Sequence, residues 1–248
     1  MPDLINQKGE AKAVHRALVA SLLGVVMMIS GCSGLGKPDY KIHQEEQETD
    51  YSTVYAEVVE FDGFTNEEYQ SELNMSVHND VLNAIEQFDS LALEAKESLP
   101  AGVRSALKIT QDIKRIKDGI ISLVSEHYIY LGGAHGNSSY KPLTVDINSE
   151  LPHNLKLSEL FEDEKYADKI NFIIEQMVQA DPQRYSELWA KPYISGDNED
   201  RFYLTDTELV IYFPPYELSY YAKGFIEFNI PLSELSPILN ERYRPKKQ

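Results

Sequence analysis

Apolar residues recur every three or four positions in two stretches of this chain and at alternate positions in most of the rest, and that contrast predicts its elements. Across 66–98, Tyr69, Leu73, Val77, Val81, Ile85, Phe88 and Leu91 keep the helical interval, with acidic residues between them. The spacing predicts one long amphipathic helix lying on a sheet and stopped by Pro100. The same interval returns at 166–179 through Ile170, Ile173, Ile174 and Met177, and shorter helices are expected at 182–190 and 232–239. Strands are read from alternation at Val54, Ala56 and Val58, ending at Asp62-Gly63, and from runs at 105–116, 120–131, 140–147, 201–204, 209–213 and 225–230. Lys117-Asp118-Gly119 joins the runs at 105–116 and 120–131, and Asp-Gly between β-rich runs signals a hairpin. Strands and helices come in blocks rather than in strict alternation. The fold class is therefore α+β: an antiparallel sheet packed by a long N-terminal helix and shorter C-terminal helices.

One apolar run has neither period. Residues 17–31 carry no charge and follow a leader bearing Lys8, Lys12 and Arg16. A bilayer-spanning helix needs roughly 20 apolar residues, so this shorter run reads as a secretory signal. It closes on Ile29-Ser30-Gly31-Cys32, and Cys32 is the only cysteine of the chain. That ending resembles the bacterial lipoprotein signal, in which Cys32 becomes the first mature residue and is acylated. Several buried acyl chains hold a protein to a membrane far more firmly than one does. An ordinary signal peptide or an uncleaved anchor with a stray cysteine is the alternative. The segment 1–31 is thus read as a signal peptide. Residues 32–50, rich in Gly, Gln, Glu and Asp without apolar periodicity, are read as a flexible tether. Ser33 is not the aspartate that resembles an inner-membrane retention signal. The expected address is a membrane-anchored lipoprotein facing the periplasm or exterior, on the outer membrane if the source is Gram-negative.

Charge narrows the partners. The chain has 23 Lys and Arg against 40 Asp and Glu, and removing residues 1–31 leaves 20 against 38. So acidic a surface repels phosphate backbones, and no Lys/Arg cluster is interleaved with aromatics, which argues against nucleic acid. It would instead attract a cationic protein or metal ions, or else the acidity serves solubility alone. With Cys32 acylated no thiol remains for a disulfide, a nucleophile or a metal, and stability must come from the core that 42% hydrophobic residues can supply.

Candidate chemistry is sparse. Of the histidines past the leader (His43, His78, His127, His135 and His153), none has the i, i+4 partner of a zinc pair on a helix. His135 stands out because it sits in Gly132-Gly133-Ala134-His135-Gly136 between two strands. Its ring is either a ligand-facing imidazole or base near Asp146, or a structural group bonded to the loop backbone. The loop lacks the Lys-Ser/Thr of a phosphate-binding loop, and no Gly-x-Ser-x-Gly elbow exists. Paired carboxylates cannot be singled out in so acidic a chain. No cofactor and no catalytic residue is assigned. Tyr216, Tyr220 and Tyr221, near Pro214-Pro215, either offer flat apolar faces with polar tips for a ligand or pack under their own loop. The candidate ligand-binding residues are Gly133, His135, Tyr216 and Tyr220.

The order of several motifs carries a resemblance. The run 128–137, with its glycine-His loop, is followed by Val145-Asp146-Ile147, by Leu155-Lys156-Leu157-Ser158-Glu159-Leu160-Phe161 and by Phe202-Tyr203-Leu204-Thr205-Asp206. The stretch 209–218 and then 224–231 completes the series. In this order and spacing the chain resembles the paired extracytoplasmic domains DUF4163 and DUF3298. These are found beside a peptidoglycan deacetylase domain and in the sigma-V anti-sigma factor that senses lysozyme. The resemblance implies an exported α+β module, with 51–148 as the DUF4163-like part and 149–248 as the DUF3298-like part. Deacetylation would need a further domain with an Asp pair and two ligand histidines, which the residues after Leu239 do not hold. Sigma-factor binding would need a cytoplasmic segment longer than the sixteen residues before the apolar run. The expectation is a non-enzymatic envelope lipoprotein that recognises an envelope protein such as a lysozyme-like hydrolase, or cell-wall glycan (peptidoglycan). The alternative is an enzyme acting on wall glycan through the His135 loop.

Overall fold

The computed structural model describes residues 37–150 and 152–245; Cys32 and the signal at 1–31 lie outside them. Five strands form one sheet in sequence order: β1 (Asp39–Glu48), β2 (Ser52–Asp62), β3 (Ser105–Lys117), β4 (Ile120–Tyr130) and β5 (Asn137–Asp146). A second sheet holds β6 (Phe202–Leu204), β7 (Glu208–Phe213) and β8 (Ile226–Pro231). The long helix α1 (Glu67–Ala95) covers the outer face of the larger sheet, and α2 (Tyr166–Ala180) covers that of the smaller. The result is four layers, helix, sheet, sheet, helix: the α+β class holds, with two sheets where the sequence suggested one.

Local chemistry sets the boundaries. Asn66 caps α1 by accepting the Tyr69 N–H at 3.0 Å, and Glu67 and Glu68 meet the positive end of the helix dipole. Its buried stripe, Tyr69 to Ala92, packs on Val54, Ala56, Val58, Leu107, Ile109, Ile121 and Leu123. Asp118 and Gly119 both take positive φ, 56° and 81°, which is the two-residue hairpin turn whose twist matches the flanking strands. Because α1 crosses between them, β2 and β3 pair in parallel while the other neighbours are antiparallel. That pair runs only from Ser52/Ser105 to Ala56/Ile109. Beyond it the side chain of Gln111 fills the gap, accepting from the Val59 N–H at 2.6 Å and donating to Ser125 Oγ at 2.8 Å.

Three expectations are corrected. Residues 39–48 are not a tether but the edge strand β1, paired with β2 from Asp39↔Asp62 to Glu48↔Thr53. Its side chains are charged or half-buried, as edge strands require, so it shows no apolar period. At 182–190 there is a series of turns instead of a helix, with Tyr185 anchored by stacking on Phe228 at 5.3 Å. The closing helix α3 shrinks to Leu232–Leu235 because Pro237 follows.

The two sheets meet on the inner face of β4. Val124 packs there with Tyr203, Val210 and Tyr212, while the outer residues Ile121 and Leu123 face α1. Ser122 is fully buried; its hydroxyl accepts the Leu204 N–H at 3.0 Å and shares a hydrogen bond with Thr144 Oγ1 at 2.8 Å. Replacing Ser122→Ala strands the Leu204 donor without water, and urea unfolding should show a loss of about 1–3 kcal/mol. His127, 4% exposed, faces the helix side, and burial followed by the Lys141 charge lowers its pKa to about 4. The unfolded chain then binds the extra proton, so stability should fall as the pH drops from about 6.5 toward 4, by roughly 3 kcal/mol or less. His127→Phe should flatten that limb of the pH–stability profile.

Candidate functional site

The loop after β4 turns on Gly132 and Gly133, whose φ values of 95° and 103° suit residues without a Cβ. Gly136 is needed for space instead: a Cβ there would lie 2.4 Å from the Tyr128 ring and 2.7 Å from the Ile129 carbonyl. The Gly136 N–H donates to Tyr128 Oη at 3.2 Å, and Tyr130 Oη donates to the Gly133 carbonyl at 3.3 Å. This fixes the loop at the end of the hairpin and projects His135 toward the chain that follows β7.

His135 is engaged on both nitrogens. Its Nδ1 lies 2.8 Å from the Gly136 carbonyl, which can only accept, so Nδ1 carries the proton. Nε2 is then free to accept the Tyr216 hydroxyl, 3.1 Å away. One ring face stacks on Tyr221 at 3.9 Å and 11°. Tyr216 itself has φ 70°, unusual for a residue with a Cβ, and is 53% exposed. The histidine therefore holds an exposed tyrosine in a strained pose, and the ring centroids of Tyr216 and Tyr221 stand 5.6 Å apart.

Asp146 does not join this group. In the β4–β5 register Asp146 pairs with Ile120 while the loop leaves from Ile129↔Asn137, about 30 Å along the strands. Asp146 is instead held in a bidentate pair by Arg242, with both contacts at 2.5 Å. The pairing of His135 with Asp146 as a base is therefore corrected, and the ring's bond to its own loop backbone is what the structure shows.

Of the other candidates, Gly133 supplies the turn and its carbonyl. Tyr220 lies beside the cluster, donating to Glu187 Oε1 at 2.6 Å, and Glu187 also pairs with Lys223. That hydrogen bond raises the Tyr220 pKa, while Lys223 and Tyr220 lower that of Glu187. Tyr221, which the sequence marks for its aromatic face beside Tyr216 and Tyr220 without placing it among the candidate residues, belongs to the site, and so does Tyr128, which nothing local marks. Trp189 was missed as well. It is 58% exposed, and its Nε1 donates to the Glu217 carbonyl at 3.1 Å, which sets a third large aromatic beside the Tyr216 turn. Among the described residues no group of three or more His, Cys, Asp or Glu is placed to hold a metal ion, and no helix is long and apolar enough to cross a membrane.

The comparisons with known proteins divide the chain on either side of this cluster. Residues 45–138 match the family described as deacetylase PdaC, and residues 158–233 match DUF3298, described as a protein of unknown function. His135 falls in the first segment and Tyr216 and Tyr221 in the second, so neither segment holds the cluster alone. The chain is similar to the anti-sigma-V factor RsiV of Bacillus subtilis (strain 168), 26% identical over 207 residues, covering 80% of this chain and 70% of that protein. Two solved structures share the fold. A DUF3298 family member from Bacteroides fragilis NCTC 9343 superposes with a TM-score of 0.67 at 16% identity, covering 85% of this chain and 96% of that one. A DUF3298 family protein from Pseudomonas aeruginosa PAO1 gives 0.54 at 17%, covering 87% and 99%.

Replacing Gly136→Ala should push the Tyr128 ring or the loop aside at a cost of about 1–3 kcal/mol. Thermal unfolding would register the loss, and near-UV dichroism would register the disturbed tyrosines. Gly133→Ala meets no atom within 4 Å and is resisted only by its φ of 103°, so a smaller loss of about 1 kcal/mol is expected.

Proposed function

We propose, for an extracytoplasmic chain that joins a PdaC-type segment to a DUF3298 segment, that it is a recognition module of the cell envelope rather than an enzyme. The observation that carries this reading is the state of His135. With Nδ1 donating to its own loop, Nε2 accepting from Tyr216 and one face covered by Tyr221, the ring acts as a bracket. Among the described residues no carboxylate is bonded to it to orient it as a general base. What the bracket presents is an exposed aromatic surface, Tyr216 with Trp189 and Tyr220 nearby, of the residue types that dominate binding hot spots.

The partner class follows from charge. A formal net charge of −17 raises the association rate of a cationic protein and opposes an anionic polymer. The reading is therefore a lipoprotein held by Cys32 that captures a basic envelope protein, of the lysozyme-like hydrolase type. Wall glycan is a second reading, favoured by the same tyrosine faces, which suit stacking on sugar rings. On this view the lipid holds the module on the outer side of the cytoplasmic membrane, or on the outer membrane in a Gram-negative cell.

Calorimetry of the chain from residue 37 onward against lysozyme and against soluble peptidoglycan fragments, at low and high salt, distinguishes the readings. Lysozyme binding that weakens with salt is expected, and Tyr216→Ala should weaken it about tenfold, or about 1.4 kcal/mol. Glycan binding without lysozyme binding would replace the protein partner by the wall. Turnover of glycan that disappears in His135→Ala would replace both by an enzyme.

A further inference from the structure

Strand polarity fixes where the aromatic site stands relative to the membrane. Asp39 opens β1 opposite Asp62, the end of β2; β2 runs parallel to β3, whose last residue Lys117 pairs with Ile120; and Ile120 pairs with Asp146 at the end of β5. The chain's entry point, the Asp118-Gly119 turn and Asp146 with its partner Arg242 thus share one pole of the larger sheet. The opposite pole holds the start of β3 at Ser105, the end of β4 at Tyr130 and the loop with His135 and Tyr216. The thirteen residues of β3 put about 40 Å between the poles.

The distance from the anchor to the first pole is short. Because residues 39–48 are a strand, only seven residue steps separate Cys32 from Asp39, a reach of at most about 25 Å. An eighteen-residue tether would have reached about 60 Å and left every orientation open. An uncleaved apolar run ending at Gly31 would impose the same limit, since it too places the membrane next to residue 32.

Charge at that pole is matched pair by pair. Lys114, Arg115, Lys117, Arg242 and Arg244 lie toward it, and they pair with Asp112, Asp118, Asp206, Asp146 and Glu162 in that order. Asp39 and Asp62 accept the N–H of the next residue. The excess carboxylates of this acidic chain lie on the remainder of the body, which anionic headgroups repel more than this paired pole.

We propose that the pole formed by Asp39, the Asp118-Gly119 turn and the Asp146–Arg242 pair is a membrane-facing surface seated on phospholipid headgroups. It holds the His135–Tyr216 site outward, about 40 Å farther from the bilayer. The proposal rests on the anchor reading above and not on the identity of the ligand. Acylated Cys32 leaves no free thiol, so Lys117→Cys and Ala134→Cys can each carry one donor dye in the full lipidated chain, in vesicles of phosphatidylglycerol and phosphatidylcholine with headgroup acceptors. Both positions are exposed.

Energy transfer should be strong from position 117 and several-fold weaker from position 134. Equal or inverted transfer in a chain that floats with the vesicles would overturn the orientation and leave the anchor standing. A chain that does not float would overturn the anchor, and the orientation with it. Neither result bears on whether Tyr216 binds lysozyme, which the calorimetry reads separately.

Discussion

The Ser122 hydroxyl is the point at which two sheets become one structure. It sits at 0% exposure in the middle layers, bonded to Thr144 within its own sheet and to the Leu204 N–H of the other. A donor on the edge of β6 would otherwise be buried unpaired, which costs more than the bond itself contributes. Around it Val124, Tyr203, Val210 and Tyr212 exclude water. Arg115 reinforces the joint at one end by donating to the Thr205 and Asp206 carbonyls at 2.9 and 3.2 Å. Loss of this register would slide the 214–224 loop away from the hairpin end, and with it the partners of His135.

The aromatic cluster is thus a product of the inter-sheet joint rather than of either half. The hairpin contributes an imidazole on a glycine loop; the three-stranded sheet contributes Tyr216 and Tyr221 from the connection between β7 and β8. The positive φ of Tyr216 persists because the turn is tied on both sides: the Glu217 N–H donates to the Pro214 carbonyl at 3.2 Å, and the Glu217 carboxylate is gripped by Arg201 at 2.6 and 2.7 Å. Strain held by such surroundings is the mark of a position whose pose matters more than its local energy. It fits a surface built for recognition, where rigidity in the free state lowers the entropy cost of binding.

Buried polar groups elsewhere show the same economy of placement. Gln111 satisfies the Val59 N–H where β2 and β3 diverge, so the sheet can splay over α1 without an orphan donor. Glu199 accepts from the Ser158 N–H at 2.8 Å and from the Tyr166 hydroxyl, joining three segments of the C-terminal half. Desolvation and that carboxylate push the Tyr166 hydroxyl well above its usual range. These groups explain why the connecting segments of the second half, with little regular structure, are nonetheless held to the core.

Much of this was legible from periodicity, because burial on one face writes itself directly into the chain. The stripe from Tyr69 to Phe88, the alternation at Val54, Ala56 and Val58 and the Asp118-Gly119 turn each depend on local geometry alone, whereas the last buried position of the helix is Ala92 and not the expected Leu91, which is 42% exposed. Strand β1 was not legible, since an edge strand buries little and its charged residues mimic a tether. The turns at 182–190 were misread because Tyr185 is buried by a ring stack on Phe228, a contact 43 positions away. In the candidate site, glycine content and tyrosine density marked His135, Tyr216 and Tyr220 as residues. Only the stacking of two sheets through Ser122 and Val124 decided that His135 meets Tyr216 and Tyr221 and that Asp146 stands about 30 Å away at the other pole. Local patterns encode which face a residue presents; which faces meet is set by long-range packing and register, and those exist only once the whole chain is folded.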